Sequence, residues 1–231
     1  MAAQGESTAN VLIDCRESKY GTAEVAITGC TIQHNSAGQD SANIRVLGGS
    51  LPDSDGQPVR EGHVTITGNV LSDVRHNVHL QECRGVTLNG NTFWMGYQHN
   101  LLVENCSHVV MGANNFDRNP RYAYGTALTT RNAVVFRDCE DCTLSGLHIV
   151  AVQEAESGLL LERCSFFNVS NCTILDCDVP CLKLVQCADC LLTGIVMRRV
   201  MQDGQKPTAV SIDCQRIAVV GPPPVEERSE R

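Results

Sequence analysis

A short apolar segment that ends in cysteine recurs along this chain and limits the folds that it can adopt. Six copies read VHLQEC, LLVENC, VVFRDC, LLLERC, LKLVQC and VSIDC, and they end at Cys83, Cys106, Cys139, Cys164, Cys187 and Cys214. Successive cysteines are 23, 33, 25, 23 and 27 residues apart, and VLIDC, which ends at Cys15, is an earlier copy. A period of roughly 20–50 residues indicates a solenoid, a propeller or another repeat architecture.

A second short strand and a corner follow almost every copy. The second strands include VTITG from Val64, VTLNG from Val86, VVMGA from Val109 and FNVSN from Phe167. Their alternate positions are apolar, which is the pattern of a strand with one buried face. The corner is a single residue, and a third brief strand such as TI, VL or TF comes after it. The corner positions hold Cys30, Asn69, Asn91, Asn114, Leu147, Cys172 and Ile195.

Three short strands per repeat predict an all-β chain, a right-handed parallel β-helix of about seven or eight coils in a single domain over residues 1–221. A propeller blade needs roughly 40 residues in four antiparallel strands, and a leucine-rich repeat needs a helix-compatible segment. Neither fits a minimum repeat of 23 residues. The Pro-rich and then charged residues 222–231 are expected to form a poorly ordered tail.

Equivalent residues of successive coils are expected to lie about 4.8 Å apart. The three corner asparagines should therefore form an Asn ladder, and the cysteines a second ladder of small buried groups. Cys139-x-x-Cys142 and Cys187-x-x-Cys190 have a spacing typical of zinc sites. The repeat separates these pairs by two coils, which is too far for one tetrahedral ion. We therefore predict core filling by cysteine, with no bound metal and no disulfides.

Composition limits the partners of the chain. The formal net charge is −8, from 18 basic and 26 acidic residues. Non-specific binding to nucleic acid depends on neutralising phosphates, so we predict no nucleic-acid partner. Because no apolar run approaches the roughly 18 residues of a membrane span, we predict no membrane partner either. The start, MAAQGESTAN, lacks the layout of a secretory signal, and abundant free thiols favour a reducing compartment.

The repeats resemble those of the pectin-lyase-like right-handed β-helix superfamily. The resemblance is carried by VTITGNVL, VTLNGNTF and VSNCTILD together with first strands such as VHLQEC and LLLERC, and it covers roughly residues 10 to 221. Members are mostly polysaccharide lyases, glycoside hydrolases and esterases, with phage tailspikes and adhesins beside them. The resemblance implies a polysaccharide or oligosaccharide partner and no cofactor. It also implies secretion, in contrast to the cysteine content.

Enzymes of this superfamily usually carry an N-terminal helix that caps the stack of coils. The present chain has no helical pattern before its first strand. An uncapped end exposes apolar core and strand edges. We therefore expect this end to be covered by a partner, by a second copy of the chain or by part of a larger protein.

Enzymes of the superfamily commonly bind substrate in a groove along the outward face of the first strand, between long loops. Strand alternation turns Val78 and Leu80 inward and their neighbours outward. Aligning the coils then gives one outward row of Gln81, Glu104, Arg137, Glu162 and Val185, and another of His79, Leu102, Val135, Leu160 and Lys183. We predict catalytic roles for His79, Glu104, Arg137 and Glu162, and substrate contacts for Arg45, Gln81 and Lys183.

Three functions fit these rows. Glu104 and Glu162, two coils and about 10 Å apart, would suit an inverting glycoside hydrolase, whose carboxyl groups are roughly 6.5–9.5 Å apart. In a lyase, Arg137 or Lys183 would instead act as base or neutralise the substrate carboxylate. A surface ladder of alternating charges would stabilise neighbouring strands without catalysis. The sequence therefore predicts a carbohydrate-active protein that binds or cleaves polysaccharide, with a non-catalytic structural or binding module as the alternative.

Two histidines open successive coils. His76 and His99 each precede an asparagine, and His34–Asn35 is an earlier copy. In register, the two imidazoles should lie about 5 Å apart at one corner. They would bind a metal, transfer protons or form a stacked turn without chemistry.

Two long loops flank the predicted groove. The loop FDRNPRYAYGTALTT supplies Arg121 and Tyr122, which are suited to hydrogen bonding and stacking with sugars. The insert around residues 50–62 contains Asp53-x-Asp55-x-Gln57, a spacing reminiscent of calcium loops. The insert lacks the remaining calcium ligands, so we do not expect the ion there.

Overall fold

In six successive coils the residue directly before a ladder cysteine has left-handed backbone and bends the chain between the first and second sheets. The computed structural model describes residues 8–19, 24–34, 38, 40–56, 59–200 and 208–221. The bend residues, with φ between +50° and +54°, are Glu82, Asn105, Asp138, Arg163, Gln186 and Asp213. This region of backbone conformation favours Gly, Asn and Asp. Because Glu82, Arg163 and Gln186 adopt it as well, the stacking of the coils imposes the bend.

Strands of successive coils pair in parallel and form three long sheets. Numbered in chain order, the first sheet contains β1 (Ala9–Asp14), β4 (Ala42–Leu47), β9 (Val74–Gln81), β12 (Gly96–Glu104), β15 (Ala133–Arg137), β18 (Leu159–Glu162), β21 (Leu182–Val185) and β24 (Ala209–Ile212). The second contains β2 (Val25–Thr28), β7 (Gly62–Thr67), β10 (Arg84–Asn89), β13 (Ser107–Met111), β16 (Glu140–Ser145), β19 (Ser165–Ser170), β22 (Ala188–Thr193) and β25 (Gln215–Val220). The third contains β3 (Thr31–Ile32), β8 (Val70–Leu71), β11 (Thr92–Phe93), β14 (Asn115–Phe116), β17 (His148–Val150), β20 (Thr173–Cys177) and β23 (Val196–Arg199).

The prediction of a right-handed parallel β-helix with three strands per coil is confirmed. The register is also as predicted, because Glu104 pairs with Gln81 on one side and with Arg137 on the other. Arg137 in turn pairs with Glu162, and Arg45 pairs with His79. The domain boundary at residue 221 stays a prediction, and the expected tail, residues 222–231, lies outside the described residues.

The loops between coils add little regular structure. Strands β5 (Gly49–Ser50) and β6 (Val59–Arg60) form an antiparallel hairpin in the first long insert. Two short 3-10 helices, Pro120–Tyr122 and Gly125–Thr129, lie in the second. Among the described residues, no helix has the length and apolar character needed to cross a membrane.

The interior of the stack is aliphatic, with a line of thiols along it. The predicted Cys ladder is confirmed, since the cysteines from Cys83 to Cys187 that precede the second strands are 0–2% exposed. Each thiol donates to a nearby carbonyl, as Cys106 Sγ does to Glu104 O at 3.2 Å. Large rings are few, and Phe93 stacks on Phe116 with centroids 4.6 Å apart. All thirteen cysteines are thiols.

The predicted Asn ladder at the second corner is confirmed. Asn69 donates through Nδ2 to Asn91 Oδ1 at 3.0 Å, and Asn91 donates to Asn114 Oδ1 at 2.9 Å. The same side chains also bond the backbone, for example Asn91 Nδ2 to Ile66 O at 2.9 Å. Buried amides whose donors and acceptors are all engaged fix the register of the coils.

A second Asn ladder, which we did not predict, opens the first sheet. Asn10, Asn43, Asn77 and Asn100 are linked by three side-chain hydrogen bonds of 2.8 Å each. Asn77 and Asn100 are the residues after His76 and His99. The repeated His–Asn pair in the sequence therefore marks a structural asparagine, and the ladder ends at Asn100, whose Nδ2 is buried without a hydrogen-bond partner among the described residues.

Candidate functional site

A row of three charged side chains lies on the outward face of the first sheet, one from each of three successive coils. We call Glu104, Arg137 and Glu162 the Glu–Arg–Glu row. Arg137 Nε donates to Glu162 Oε2 at 2.8 Å, and Arg137 NH1 lies 3.7 Å from Glu104 Oε1. On its other side Glu104 accepts a 3.0 Å hydrogen bond from His79 Nε2. The structure thus brings together the four residues to which we assigned catalytic roles.

Exposure differs along this set. The side chains of Glu104, Arg137 and Glu162 are 34%, 29% and 25% exposed, whereas that of His79 is only 9% exposed. A ligand can therefore reach the Glu–Arg–Glu row, and His79 lies behind it. The hydrogen bond from His79, together with the charge of Arg137, lowers the pKa of Glu104 below its ordinary value. Glu104 is accordingly an anion at neutral pH.

Further ion pairs extend the row at both edges. Glu162 also pairs with Arg163, which pairs in turn with Asp138 at 2.6 Å. Lys183, a predicted substrate contact, lies 2.8 Å from Glu156. Every charged side chain of the row therefore has an internal partner, and any ligand must compete with these pairs.

A shallow cleft of about 220 Å³ lies beside the row. Its walls are formed by Gln98, His99, Arg131, Ala133, Val135, Arg137, Ala155, Glu156, Ser157 and Leu160. Arg118 holds two of the surrounding loops together, since its guanidinium donates to the carbonyls of Ala151, Ala127 and Thr130. This volume is below the roughly 300 Å³ at which drug-sized ligand pockets begin, which suits the edge of a chain-like ligand better than an enclosed small molecule.

The second predicted row is more buried than an open groove would be. Leu102, Val135 and Leu160 are 1–6% exposed and pack with Ala155 in a small apolar cluster of their own. They point outward as predicted, but the loop that contains Ala155 covers them. The open part of the face is therefore narrower than the sequence indicated.

Two histidines and a carboxylate form a separate group, of which His99 lines the cleft. His76 Nδ1 and His99 Nδ1 are 3.0 Å apart, so the predicted proximity of the two rings is confirmed. His76 Nε2 lies 2.9 Å from Asp40 Oδ1, and Asp40 also pairs with the guanidinium of Arg45 at 2.9 Å. Arg45 is only 3% exposed, so contact between it and a ligand would require rearrangement.

Burial controls the charge of these histidines. It lowers the pKa of His76 to about 4, although Asp40 opposes the effect. Burial also lowers the pKa of His99 to about 3, and the neighbouring His76 and Arg137 add to the effect. Both imidazoles are therefore neutral at neutral pH.

Some predicted contacts lie away from the row. Tyr122 packs against Trp94, with ring centroids 5.1 Å apart, and Arg121 is exposed in the first 3-10 helix. Neither lines the cleft. Gln81 is in register with Glu104, and its role as a substrate contact stays a prediction, as do those of Arg121 and Tyr122.

The predicted calcium-like segment is a local turn. Asp53 Oδ1 accepts from the backbone N–H of Asp55 at 2.9 Å, while Gln57 lies outside the described residues. Sequence reasoning missed Asp40 and Glu156, both of which pair with residues of the face. They stand in irregular loops outside the repeat, so no spacing could have identified them.

Comparisons with known proteins give one family match. The family described as "Periplasmic copper-binding protein (NosD)" matches residues 9–193. No curated protein matches the chain.

Several solved structures are similar over most of their length. A putative glycosyl hydrolase from Parabacteroides merdae is 10% identical, with 82% of each chain covered and a TM-score of 0.38. The A-module of the Azotobacter vinelandii mannuronan C-5 epimerase AlgE4 is also 10% identical, covering 95% of this chain and 78% of that one, with a TM-score of 0.34. At these TM-scores the likenesses carry no argument about activity.

Proposed function

Since the chain belongs to the NosD family of right-handed β-helix proteins, within the pectin-lyase-like superfamily, we propose that it binds a polysaccharide along the outward face of its first sheet. The observation that carries the proposal is the Glu–Arg–Glu row, three accessible and alternating charges one coil apart beside an open cleft. Such a row offers donors and acceptors at the spacing of the coils to an extended ligand. Binding along the stack suits a chain of sugars because the cleft beside the row is shallow.

The name of the family refers to copper, and the side chains of this chain allow a test. Among the described residues, no group of three or more His, Cys, Asp or Glu side chains is arranged to hold a metal ion. Burial raises the pKa of Cys106, and it raises that of Cys142 to about 12. These two thiols stay protonated, whereas metals bind the thiolate. Hydrogen bonds with Cys177 and Cys164 lower the pKa of Cys181 and Cys187, but these two cysteines lie at opposite ends of β21. The donor set therefore does not fit a copper site, and we assign no step to copper.

The charges on the row limit which cleavage chemistries it can support. An inverting hydrolase needs one protonated carboxylic acid, but the lowered pKa of Glu104 keeps it ionised. Elimination needs a base next to a group that neutralises the substrate carboxylate. A lowered pKa also makes Glu104 a weak base, so Glu104 suits neither the acid of a hydrolase nor the base of a lyase, and Arg137 remains suited to neutralise a substrate carboxylate.

A non-catalytic binding or structural module is the second candidate. It is favoured by the internal pairing of the row, in which His79, Arg163 and Arg137 engage both carboxylates. Alternating charges in neighbouring strands stabilise a sheet without any ligand. The two candidates differ in whether polysaccharide is retained and whether product forms.

The first experiment is a binding and cleavage screen with uronate-containing and neutral polysaccharides. We expect at least one polymer to be retained by the wild-type protein in affinity electrophoresis. Arg137→Ala should weaken this binding at least about tenfold, because charged hydrogen bonds to a ligand are lost. Ultraviolet absorbance of unsaturated products would reveal elimination, and new reducing ends without that absorbance would reveal hydrolysis.

Arg198→Ala is the matched control for this screen. Arg198 is likewise paired with a carboxylate, that of Asp176, but on the third sheet. Its replacement should leave retention unchanged. Equal losses in the two variants, or no retention of any polymer, would count against the proposed site. Retention without product would support the binding module over the enzyme.

A further inference from the structure

A hydrogen-bonded chain of three side chains leads from a loop to the cleft. Asp40 lies 2.9 Å from His76 Nε2, and His76 Nδ1 lies 3.0 Å from His99 Nδ1. The ring centroids of the two histidines are 5.0 Å apart and their planes differ by 20°. Because the nitrogens are much closer together than the centroids, both Nδ1 atoms lie between the rings, and one N–H can point at the other nitrogen.

The carboxylate decides where the protons of this chain reside. A neutral imidazole has one N–H and one lone pair. Asp40 accepts hydrogen bonds, so His76 must place its proton on Nε2, and His76 Nδ1 is left with the lone pair. Two lone pairs cannot face each other at hydrogen-bond distance. The proton between the rings therefore belongs to His99 Nδ1, and His99 Nε2 carries a lone pair.

The surroundings keep both rings neutral. His76 is 5% exposed, and burial lowers its pKa to about 4. The charged or titratable groups that face it are Asp40, Arg45, His79 and His99, and those that face His99 are His76, His79, Glu104 and Arg137. The cations Arg45 and Arg137 disfavour a second proton on either ring.

The free nitrogen of His99 belongs to a residue that lines the cleft. His99 Nε2 is the nitrogen turned away from His76, and it has no hydrogen-bond partner among the described residues, nor is it sealed from solvent. Arg131, Arg137 and Gln98 on the same walls are hydrogen-bond donors. His99 Nε2 therefore gives the cleft a hydrogen-bond acceptor among side chains that donate, and a ligand group that can donate should bind next to it.

We propose that Asp40 and His76 hold His99 in the tautomer with its proton on Nδ1, and that His99 Nε2 accepts a hydrogen bond from a hydroxyl group of the bound polysaccharide. Asp40 and His76 are positioning residues, and His99 is the ligand contact. The identity of the ligand rests on the proposed function, whereas the tautomer of His99 does not depend on it. The inference adds a specificity-determining residue to the wall of the cleft, which also contains Arg137 of the Glu–Arg–Glu row.

The tautomer can be measured directly in the unliganded wild-type protein. Long-range proton–nitrogen NMR on histidine labelled with ¹⁵N distinguishes protonated from unprotonated ring nitrogens. We expect a protonated Nδ1 and an unprotonated Nε2 for His99 at neutral pH. A proton on His99 Nε2 would overturn the inference, whether or not any polysaccharide binds. The expected tautomer together with no binding would overturn the proposed function alone.

Removal of the Asp40 carboxylate tests whether it sets the tautomers of His76 and His99. In Asp40→Ala, His76 is no longer obliged to protonate Nε2, so the His99 nitrogen signals should shift towards a mixture of tautomers. Asp138→Ala removes another ion-paired carboxylate, the partner of Arg163, and should leave the His99 signals in place. Unchanged signals in Asp40→Ala would overturn the positioning role.

The hydrogen bond to the ligand is tested with two substitutions of His99. His99→Phe keeps a flat ring but has no acceptor, and binding to the retained polysaccharide should weaken about tenfold. His99→Gln keeps an oxygen acceptor near the position of Nε2, so this variant should lose less binding affinity than His99→Phe. Equal losses in the two variants, or no loss in His99→Phe, would overturn the contact.

Discussion

The left-handed bend before six of the ladder cysteines is a source of backbone strain at single residues. A non-glycine residue in this conformation costs roughly 1–2 kcal/mol, because Cβ approaches the following carbonyl oxygen. Asn and Asp tolerate the conformation better and occupy the corner in three coils, at Asn105, Asp138 and Asp213. Gln186 occupies it with φ of +52°, and its side chain is exposed.

Gln186→Gly should therefore stabilise the protein. Removing Cβ relieves the strain, and the greater freedom of Gly in the unfolded chain offsets roughly 0.5–1 kcal/mol of that gain. We expect a net increase of up to about 1 kcal/mol in the free energy of unfolding, read from urea denaturation. Gln81→Gly, in the extended strand β9, is the control and should destabilise. A loss of stability in both variants would show that the corner is unstrained.

At the scale of elements, the Asn ladders fix the register of each coil on the next. Asn91 is buried and central in its ladder. Its Oδ1 accepts from the backbone N–H and from Nδ2 of Asn69, and its Nδ2 donates to Ile66 O and Asn114 Oδ1. Truncation would leave several of these groups buried without partners, and each such group costs about 1–3 kcal/mol.

Asn91→Ala should accordingly lower the free energy of unfolding by on the order of 3–5 kcal/mol. Asn168→Ala is the matched control, because Asn168 is exposed on β19 and such substitutions usually change stability by less than about 0.5 kcal/mol. Chemical denaturation monitored by circular dichroism measures both. Similar small losses of unfolding free energy in both variants would mean that the hydrogen bonds of the ladder stabilise the fold no more than hydrogen bonds to water stabilise the unfolded chain.

The strands and the register were predictable because each coil repeats the same alternation of apolar residues. That alternation places Val78 and Leu80 in the core and Glu104 beside Arg137 without any tertiary information. The coverage of the face was not predictable, because it depends on loops with no repeat. Asp40 and Ala155 belong to such loops, and they determine which of the outward residues a ligand can reach.

The second Asn ladder shows a different limit of prediction from the sequence. The repeated His76–Asn77 and His99–Asn100 pairs were visible, but the sequence did not reveal which member was structural. In the structure the asparagine forms the ladder and the histidine faces the cleft region. The repeated His–Asn pair thus identified the position in the coil, while burial and hydrogen bonding in the structure showed which residue of the pair is structural.

For the whole molecule, the ends of the stack differ from the middle. In the last coil Val219 is 70% exposed, whereas Leu192 and Val169, at the same position of the two preceding coils, are 7% and 0% exposed. Edge strands and exposed apolar residues favour association. The expectation that a partner or a second copy covers the N-terminal end of the stack stays a prediction. The central coils carry the buried histidines, and stability in acid depends on them.

Acid should destabilise the whole fold through these histidines. The pKa of His76 is lowered from 6.5 to about 4 in the folded protein, so below pH 6.5 the unfolded chain binds more protons than the folded one. Stability should fall by on the order of 3 kcal/mol as the pH drops from about 6.5 to 4, read from urea unfolding at each pH. His76→Gln should remove its own share of this slope and leave the share of His99, whose pKa is lowered to about 3, while His148→Gln, at an exposed site on β17, should leave the slope unchanged. Stability that is constant or rises over this interval would show that His76 is charged in the folded state.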